Sequence, residues 1–120
     1  NLPYVYIDKN QLETALVNLL VNAKDALQGE GNIVIRTRQK LVQRTYQQEQ
    51  MLQLSIIDDG CGMDEATQKR IFEPFFTTRA EGTGLGLYVA RELAHANSGQ
   101  LHYHPEVKGF ELIMPKDINE

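Results

Sequence analysis

Tryptophan is absent from the 120 residues, cysteine occurs once, as Cys61, and proline only four times. A lone cysteine cannot close an internal disulfide, so a disulfide-stapled secreted scaffold is excluded and a reducing, cytoplasmic setting is expected. No apolar run approaches the roughly 18–20 residues that span a bilayer, and the N-terminus lacks the basic-then-apolar pattern of a secretory signal. Cationic excess is missing too: 12 Lys and Arg stand against 16 Asp and Glu, a formal charge of −4. That balance gives no general attraction to nucleic acid or acidic lipid, so no nucleic-acid partner is expected, while local basic groups can still hold a phosphate. What is present is 42% apolar residues in a chain of single-domain length, which supports one core. Residues 1–120 read as one domain of a longer protein, because the chain opens on Asn1 rather than Met. Any membrane anchor or sensor would lie outside it.

Spacing divides the chain into elements. A β-branched and aromatic run, Tyr4–Ile7, predicts a first strand, and Asp8 with Gln11 predicts a helix N-cap and capping box. Leu12, Ala15, Leu16, Leu19, Leu20, Ala23 and Leu27 then recur at helical spacing up to Gly29. Ile33–Leu41 and Met51–Ile57 read as strands flanking a glutamine-rich hairpin tip. Asp64 predicts the cap of a short helix through Ile71, Phe72–Thr83 a mobile loop, and Leu85–Ala96 a helix closed by Ser98–Gly99. Gln100–His104 and Phe110–Met114 predict a last hairpin. The order implies an α+β, two-layer sandwich: a mixed, mostly antiparallel sheet with helices on one face.

Three stretches can carry chemistry. Asn18 and Asn22 lie one turn apart on the first helix with Asp25 beyond them, in positions where a wet stripe would more naturally use Glu, Lys or Arg. They are either a solvent face that happens to use Asn, or neutral oxygen ligands for a hard cation such as Mg²⁺, which completes its shell with water and phosphate. Asp58-Asp59-Gly60-Cys61-Gly62 follows a buried strand; it is a plain Asp-Gly turn, or a loop whose glycines admit a ligand while an aspartate accepts from an exocyclic amine. Gly82-Thr83-Gly84-Leu85-Gly86-Leu87 opens a helix, and unobstructed amides at its positive end suit polyphosphate. Neither the dinucleotide fingerprint nor a Walker motif fits that spacing. Between the last two stretches, Phe72-Glu73-Pro74-Phe75-Phe76 can anchor a loop, with at least one Phe in the core, and Arg79 can reach terminal phosphate oxygens.

Together and in this order, these stretches resemble the catalytic ATP-binding domain of bacterial sensor histidine kinases. That domain belongs to the ATPase superfamily shared with gyrase-type topoisomerases, Hsp90-type chaperones and mismatch-repair ATPases. Leu16–Leu27 looks like the family's N box, Asp58–Gly62 its G1 box, Phe72–Phe76 its F box, Gly82–Leu87 its G2 box, and Gly109–Pro115 its last strand. The resemblance implies a Bergerat-type fold with ATP and Mg²⁺ as ligands, Asn22 on the metal and Asn18 assisting. It implies Asp58 on the adenine amino group, with Gly60 and Gly62 shaping that pocket. Amides of Gly84, Leu85 and Gly86 would hold phosphates, and Arg79 would reach the γ-phosphate. Lys24, Asp25, Met63, Ile71, Phe76, Thr77, Thr78, Gly82, Thr83 and Leu87 complete the implied ATP and ADP site. Asp25 departs from the family, which often has a basic residue there, and Lys24 is the neighbouring cation. The lid is short, as in kinases of the nitrogen-regulation and flagellar-regulation groups.

Gyrase-like relatives place a water-activating carboxylate where this chain has Asn18, an amide that cannot act as a base. Hydrolysis is therefore expected to be poor, whereas a neutral imidazole brings its own lone pair to the γ-phosphorus. His95, His102 and His104 lack the phosphoacceptor context and read as surface or structural. The expected partners are a separate dimerisation and phosphoacceptor domain of the same protein and, indirectly, a response-regulator receiver domain. The isolated domain is expected to be a monomer and the whole protein a homodimer. Two other functions fit less well: a non-catalytic nucleotide-gated module, and an ATP-hydrolysing clamp.

Overall fold

A computed structural model describes residues 7–27, 30–43, 48–60, 62–77 and 84–115. The expected strand at Tyr4–Ile7 lies outside these, apart from Ile7, which packs against the core. Helix α1 (Lys9–Ala26) begins at Asp8, whose Oδ1 accepts from the Gln11 amide at 3.0 Å. The other half of the expected capping box is not made. Asn97, just past the end of α3 (Gly86–Ala96), accepts from the Asp8 amide through Oδ1 at 3.2 Å. Its Nδ2 donates to Gln11 Oε1 at 2.6 Å and to Leu93 O at 2.8 Å. A tertiary partner has taken over what a local side chain would do, and it ties the start of α1 to the end of α3.

Strands β1 (Ile33–Gln43), β2 (Gln48–Asp58), β3 (Gln100–His104) and β4 (Gly109–Pro115) form an antiparallel sheet in the order β1-β2-β4-β3. Strand alternation puts Leu52, Ile56, Leu101, Phe110, Leu112 and Met114 on one face, where they meet Ala15, Leu19 and Ala23 of α1 and Ala90 and Ala94 of α3. Alanine at those helix positions lets both helices lie close to the sheet and to each other. Leu19 and Ala90 are fully buried. The helices therefore cover one face, as expected, and every pairing among the described strands is antiparallel.

Helix α2 (Glu65–Gln68) is capped by Asp64 as expected, with the Thr67 amide donating to Asp64 Oδ1 at 2.7 Å. It is shorter than expected, because Arg70 N already bonds to Thr67 O, three residues back, at 2.9 Å. The Thr67 hydroxyl and amide hold the Asp64 carboxyl below the usual aspartate range. Helix α1 closes at Leu27, and the Gly29 stop lies outside the described residues. After α3 the chain reverses at Ser98, with φ of 63°.

Candidate functional site

Rotation of α1 is set by the buried stripe Ala15, Leu19 and Ala23. Leu12, Leu16 and Leu20 form one shoulder of that stripe and pack partly against the core. Asn18, Asn22 and Asp25 form the opposite shoulder, all half-buried, while Lys24 is exposed. Val17 and Val21 point away from the sheet, at 51% and 46% exposure. The asparagine line is thus neither core nor open surface. It faces the start of α3: a Cβ on Gly86 would sit 3.5 Å from Asn18 Oδ1. The residue before Gly86, Leu85, gives no side-chain cap. The first-turn amides of an 11-residue helix, at the positive end of its dipole, therefore lie beside an amide oxygen.

The loop after β2 reaches the other end of the asparagine line. Asp58, half-buried, accepts from the Gly60 amide at 2.8 Å. Any Cβ on Gly60 would stand 2.7 Å from Ala26 O and 2.8 Å from Asp58 Oδ1, so only glycine lets this loop press against the last turn of α1. Asp59 turns the other way, and its Oδ1 accepts from the Asn32 amide at 3.0 Å, which fastens the loop to the start of β1. Gly62 takes φ of 77°. Lys108, in the β3–β4 turn, lays its aliphatic stem 3.4 Å from where a Gly62 Cβ would be, and Nζ reaches Gly60 O at 3.5 Å. No motif in the sequence singles out Lys108; only its place beside Gly109 in a turn hints at a special backbone, and its φ is 56°.

Phenylalanines divide as expected between core and anchor. Phe72 packs edge-on against Phe110, with centroids 6.2 Å apart, and Phe76 is half-buried under the Arg70 guanidinium at 4.5 Å. Phe75 is 74% exposed and takes φ of 68°, a left-handed conformation in a bulky residue. Its amide donates to Gly84 O at 2.8 Å, and a Cβ on Gly84, itself at φ of 76°, would overlap the Phe75 carbonyl. Thus the two flanks of the 78–83 stretch are clamped backbone to backbone. Thr78, Arg79, Gly82 and Thr83 lie outside the described residues, as does Cys61.

Of the other expected site residues, Ile71 is a core side chain at 4% exposure, and Met63 and Leu87 pack partly against the core. Thr77 is exposed, and Leu85 is half-buried beside Gly84. His95 and His102 are exposed; His104 is half-buried. Among the described residues no group of three His, Cys, Asp or Glu can hold a metal ion, and no helix is long and apolar enough to cross a membrane.

The sequence profile of the histidine kinase-, DNA gyrase B- and HSP90-like ATPases matches residues 7–117. The chain is 43% identical over 112 residues to the signal transduction histidine-protein kinase AtoS of Escherichia coli, covering 90% of this chain and 17% of that protein. It is 34% identical over 118 residues to sporulation kinase E of Bacillus subtilis, covering 96% of this chain and 15% of the other. It thus spans about a sixth of the length of these relatives. Among solved structures, the catalytic domain of histidine kinase ThkA superposes with a TM-score of 0.71 at 29% identity, over 92% of this chain and 69% of that one. By sequence and by fold, the chain belongs to the histidine kinase-, DNA gyrase B- and HSP90-like ATPase family, as an ATP-binding catalytic domain of the histidine-kinase type.

Proposed function

We propose that this domain binds Mg-ATP between the Asn18–Asp25 shoulder of α1, the loop 58–63 and the start of α3, and donates the γ-phosphoryl group to a histidine on a separate dimerisation domain. The observation that carries this reading is the approach of Asn18 Oδ1 to the N-terminal first turn of α3 at Gly86. It puts a neutral oxygen donor and the first-turn amides of α3 on one small volume, as a metal-bound polyphosphate requires. Asp58, held by the Gly60 amide, keeps its second carboxylate oxygen for the adenine amino group. Gly60 and Gly62 shape the base pocket, with Met63, Ile71 and Phe76 as its apolar side. Gly84, Leu85, Gly86 and Leu87 take the phosphates, and Thr77, Thr78, Arg79, Gly82 and Thr83 complete the lid. Lys24 supplies a nearby cation.

The donor set suits a hard cation. Asn22 and Asn18 offer amide oxygens, and Asp25 lies a turn further along. With no acidic or His cluster among the described residues, the rest of a Mg²⁺ shell must come from phosphate and water. When bound, the ion neutralises phosphate charge. The chain's own residues position the nucleotide and oppose its negative charge through amides and Arg79. No carboxylate stands at Asn18 to activate water, so the acceptor must bring its own lone pair, and a neutral imidazole does. The three histidines here do not serve as that acceptor. It lies with the dimerisation helices on another domain of the same protein, whose receiver-domain partner takes the phosphoryl group onward.

The test is a thermal melt of the domain with ADP or ATP, with and without Mg²⁺. Ligand at about 100 times its dissociation constant adds roughly 2.7 kcal/mol, several degrees for a domain of this size. A Mg²⁺-dependent shift that disappears in Asn22→Ala supports the site, and a Mg²⁺ dependence kept by that variant moves the metal elsewhere. Labelled ATP mixed with a His-bearing dimerisation fragment must then yield acid-labile phosphohistidine; its absence removes the kinase reading.

A further inference from the structure

The face of the sheet turned away from α1 and α3 carries a cavity of about 530 Å³, within the size range of small-molecule sites. Its floor is polar and buried. Gln53 and Ser55 on β2 are 2% and 9% exposed. Gln53 Oε1 accepts from Arg38 Nε at 3.3 Å, and Gln53 Nε2 donates to Ser55 Oγ at 3.1 Å. That chain fixes the floor and leaves the Ser55 hydroxyl proton to give away. Register then places Arg36 of β1 and Glu111 of β4 on either side of Ser55, in one row across three strands. Both line the cavity, and neither side chain has an ion-pair or hydrogen-bond partner among the described residues. At the β3 wall, Nδ1 of His104 is buried with its hydrogen bond unmet. A side-chain nitrogen this well buried is ordinarily matched, so the unmet Nδ1 of His104, beside the uncommitted side chains of exposed Arg36 and half-buried Glu111, marks a place for something else.

We propose that this cavity is a second ligand site, separate from the nucleotide site, for a small amino dicarboxylate. Charge selects the class. Arg36 and Arg38 supply two guanidinium groups and Glu111 one carboxylate, so the complementary ligand has two carboxylates and one ammonium group. The planar fork of unpartnered Arg36 takes one carboxylate bidentately, the free Nη groups of Arg38 take the other, and Glu111 takes the ammonium. Ile57 and Val107 give the methylenes an apolar edge. The sheet lies between this cavity and the helices of the nucleotide site, so the two occupants do not compete.

L-glutamate is the probe, titrated into the ¹⁵N-labelled domain and followed by NMR. Saturable shifts are expected at the Ser55 and Glu111 amides and the His104 ring. Arg36→Ala, an exposed position, should weaken binding at least tenfold. Glu111→Gln should weaken glutamate but not glutarate, which lacks the ammonium, and saturating ADP should leave glutamate affinity unchanged. No saturable shift up to about 20 mM, a range that reaches well past millimolar affinity, overturns the proposal. So does Arg36→Ala binding like the parent, glutarate or inorganic phosphate binding as tightly as glutamate, or competition by ADP. Failure of nucleotide binding alone leaves these outcomes unaffected, so the two sites are judged separately.

Discussion

Replacing Gly86 by alanine should separate the stability of this domain from its affinity for nucleotide. Gly86 is the first residue of α3, and a Cβ there meets nothing closer than Asn18 Oδ1 at 3.5 Å, an ordinary contact. The methyl therefore fits, and a compatible Gly→Ala change gains about 0.4–1 kcal/mol, chiefly by restricting the unfolded chain. The same methyl stands where a phosphate oxygen must come within about 2.9 Å of the helix amides. A loss of at least tenfold in ADP affinity, about 1.4 kcal/mol, is expected, with adenosine affinity unchanged because it has no phosphate to obstruct. Urea denaturation measures the first quantity and calorimetry with ADP and adenosine the second. Unchanged ADP affinity in a stabilised variant would refute phosphate binding at Gly86. A stability loss with equal weakening of ADP and adenosine would show that the methyl disturbs packing instead.

Asp58→Asn should weaken ADP and adenosine alike, by about 1.5–3 kcal/mol for a buried charge-assisted bond, and calorimetry with both ligands distinguishes it from Gly86→Ala. Asn97→Ala removes three tertiary and local bonds at the far end of the helix pair. It should cost about 1–3 kcal/mol in urea denaturation while leaving ADP affinity within twofold. Asp64 is held below its ordinary range by Thr67, so its cap is fully present above that range and is lost as pH falls through the folded-state value. The Thr67 amide resonance should follow that acid titration in the parent and stay flat in Asp64→Asn, whose amide oxygen caps at every pH.

Local pattern made the elements legible. The helical recurrence of Leu12, Ala15, Leu16, Leu19, Leu20, Ala23 and Leu27 marked α1, and the runs Met51–Ile57 and Phe110–Met114 marked strands, because each signal lies within one segment. The asparagine line and the glycine loops stood out because their residue types suit helices and strands poorly. What could not be read were contacts between distant segments. Nothing near Asn97 announces that it completes the cap at Asp8, since that bond spans 89 positions. Nor does a local rule foresee that β4 would insert beside β2, between it and β3, among the described strands. The left-handed Phe75 was hidden for a related reason: its backbone is held by Gly84 rather than by any preference of phenylalanine.

The bonds of Asn97 also give α3 a mechanical character. The helix is fixed at its C-terminal end and meets Asn18 at the other, about 16 Å away at 1.5 Å per residue. It is a lever with its fulcrum at Asn97: a displacement of about 1 Å at Gly86 needs only some 3–4° of rotation there. An angle that small lies within what two or three hydrogen bonds tolerate without breaking. Movement at the phosphate end can therefore reach the start of α1 with no helix melting, and the Asp8 amide is where it would be felt.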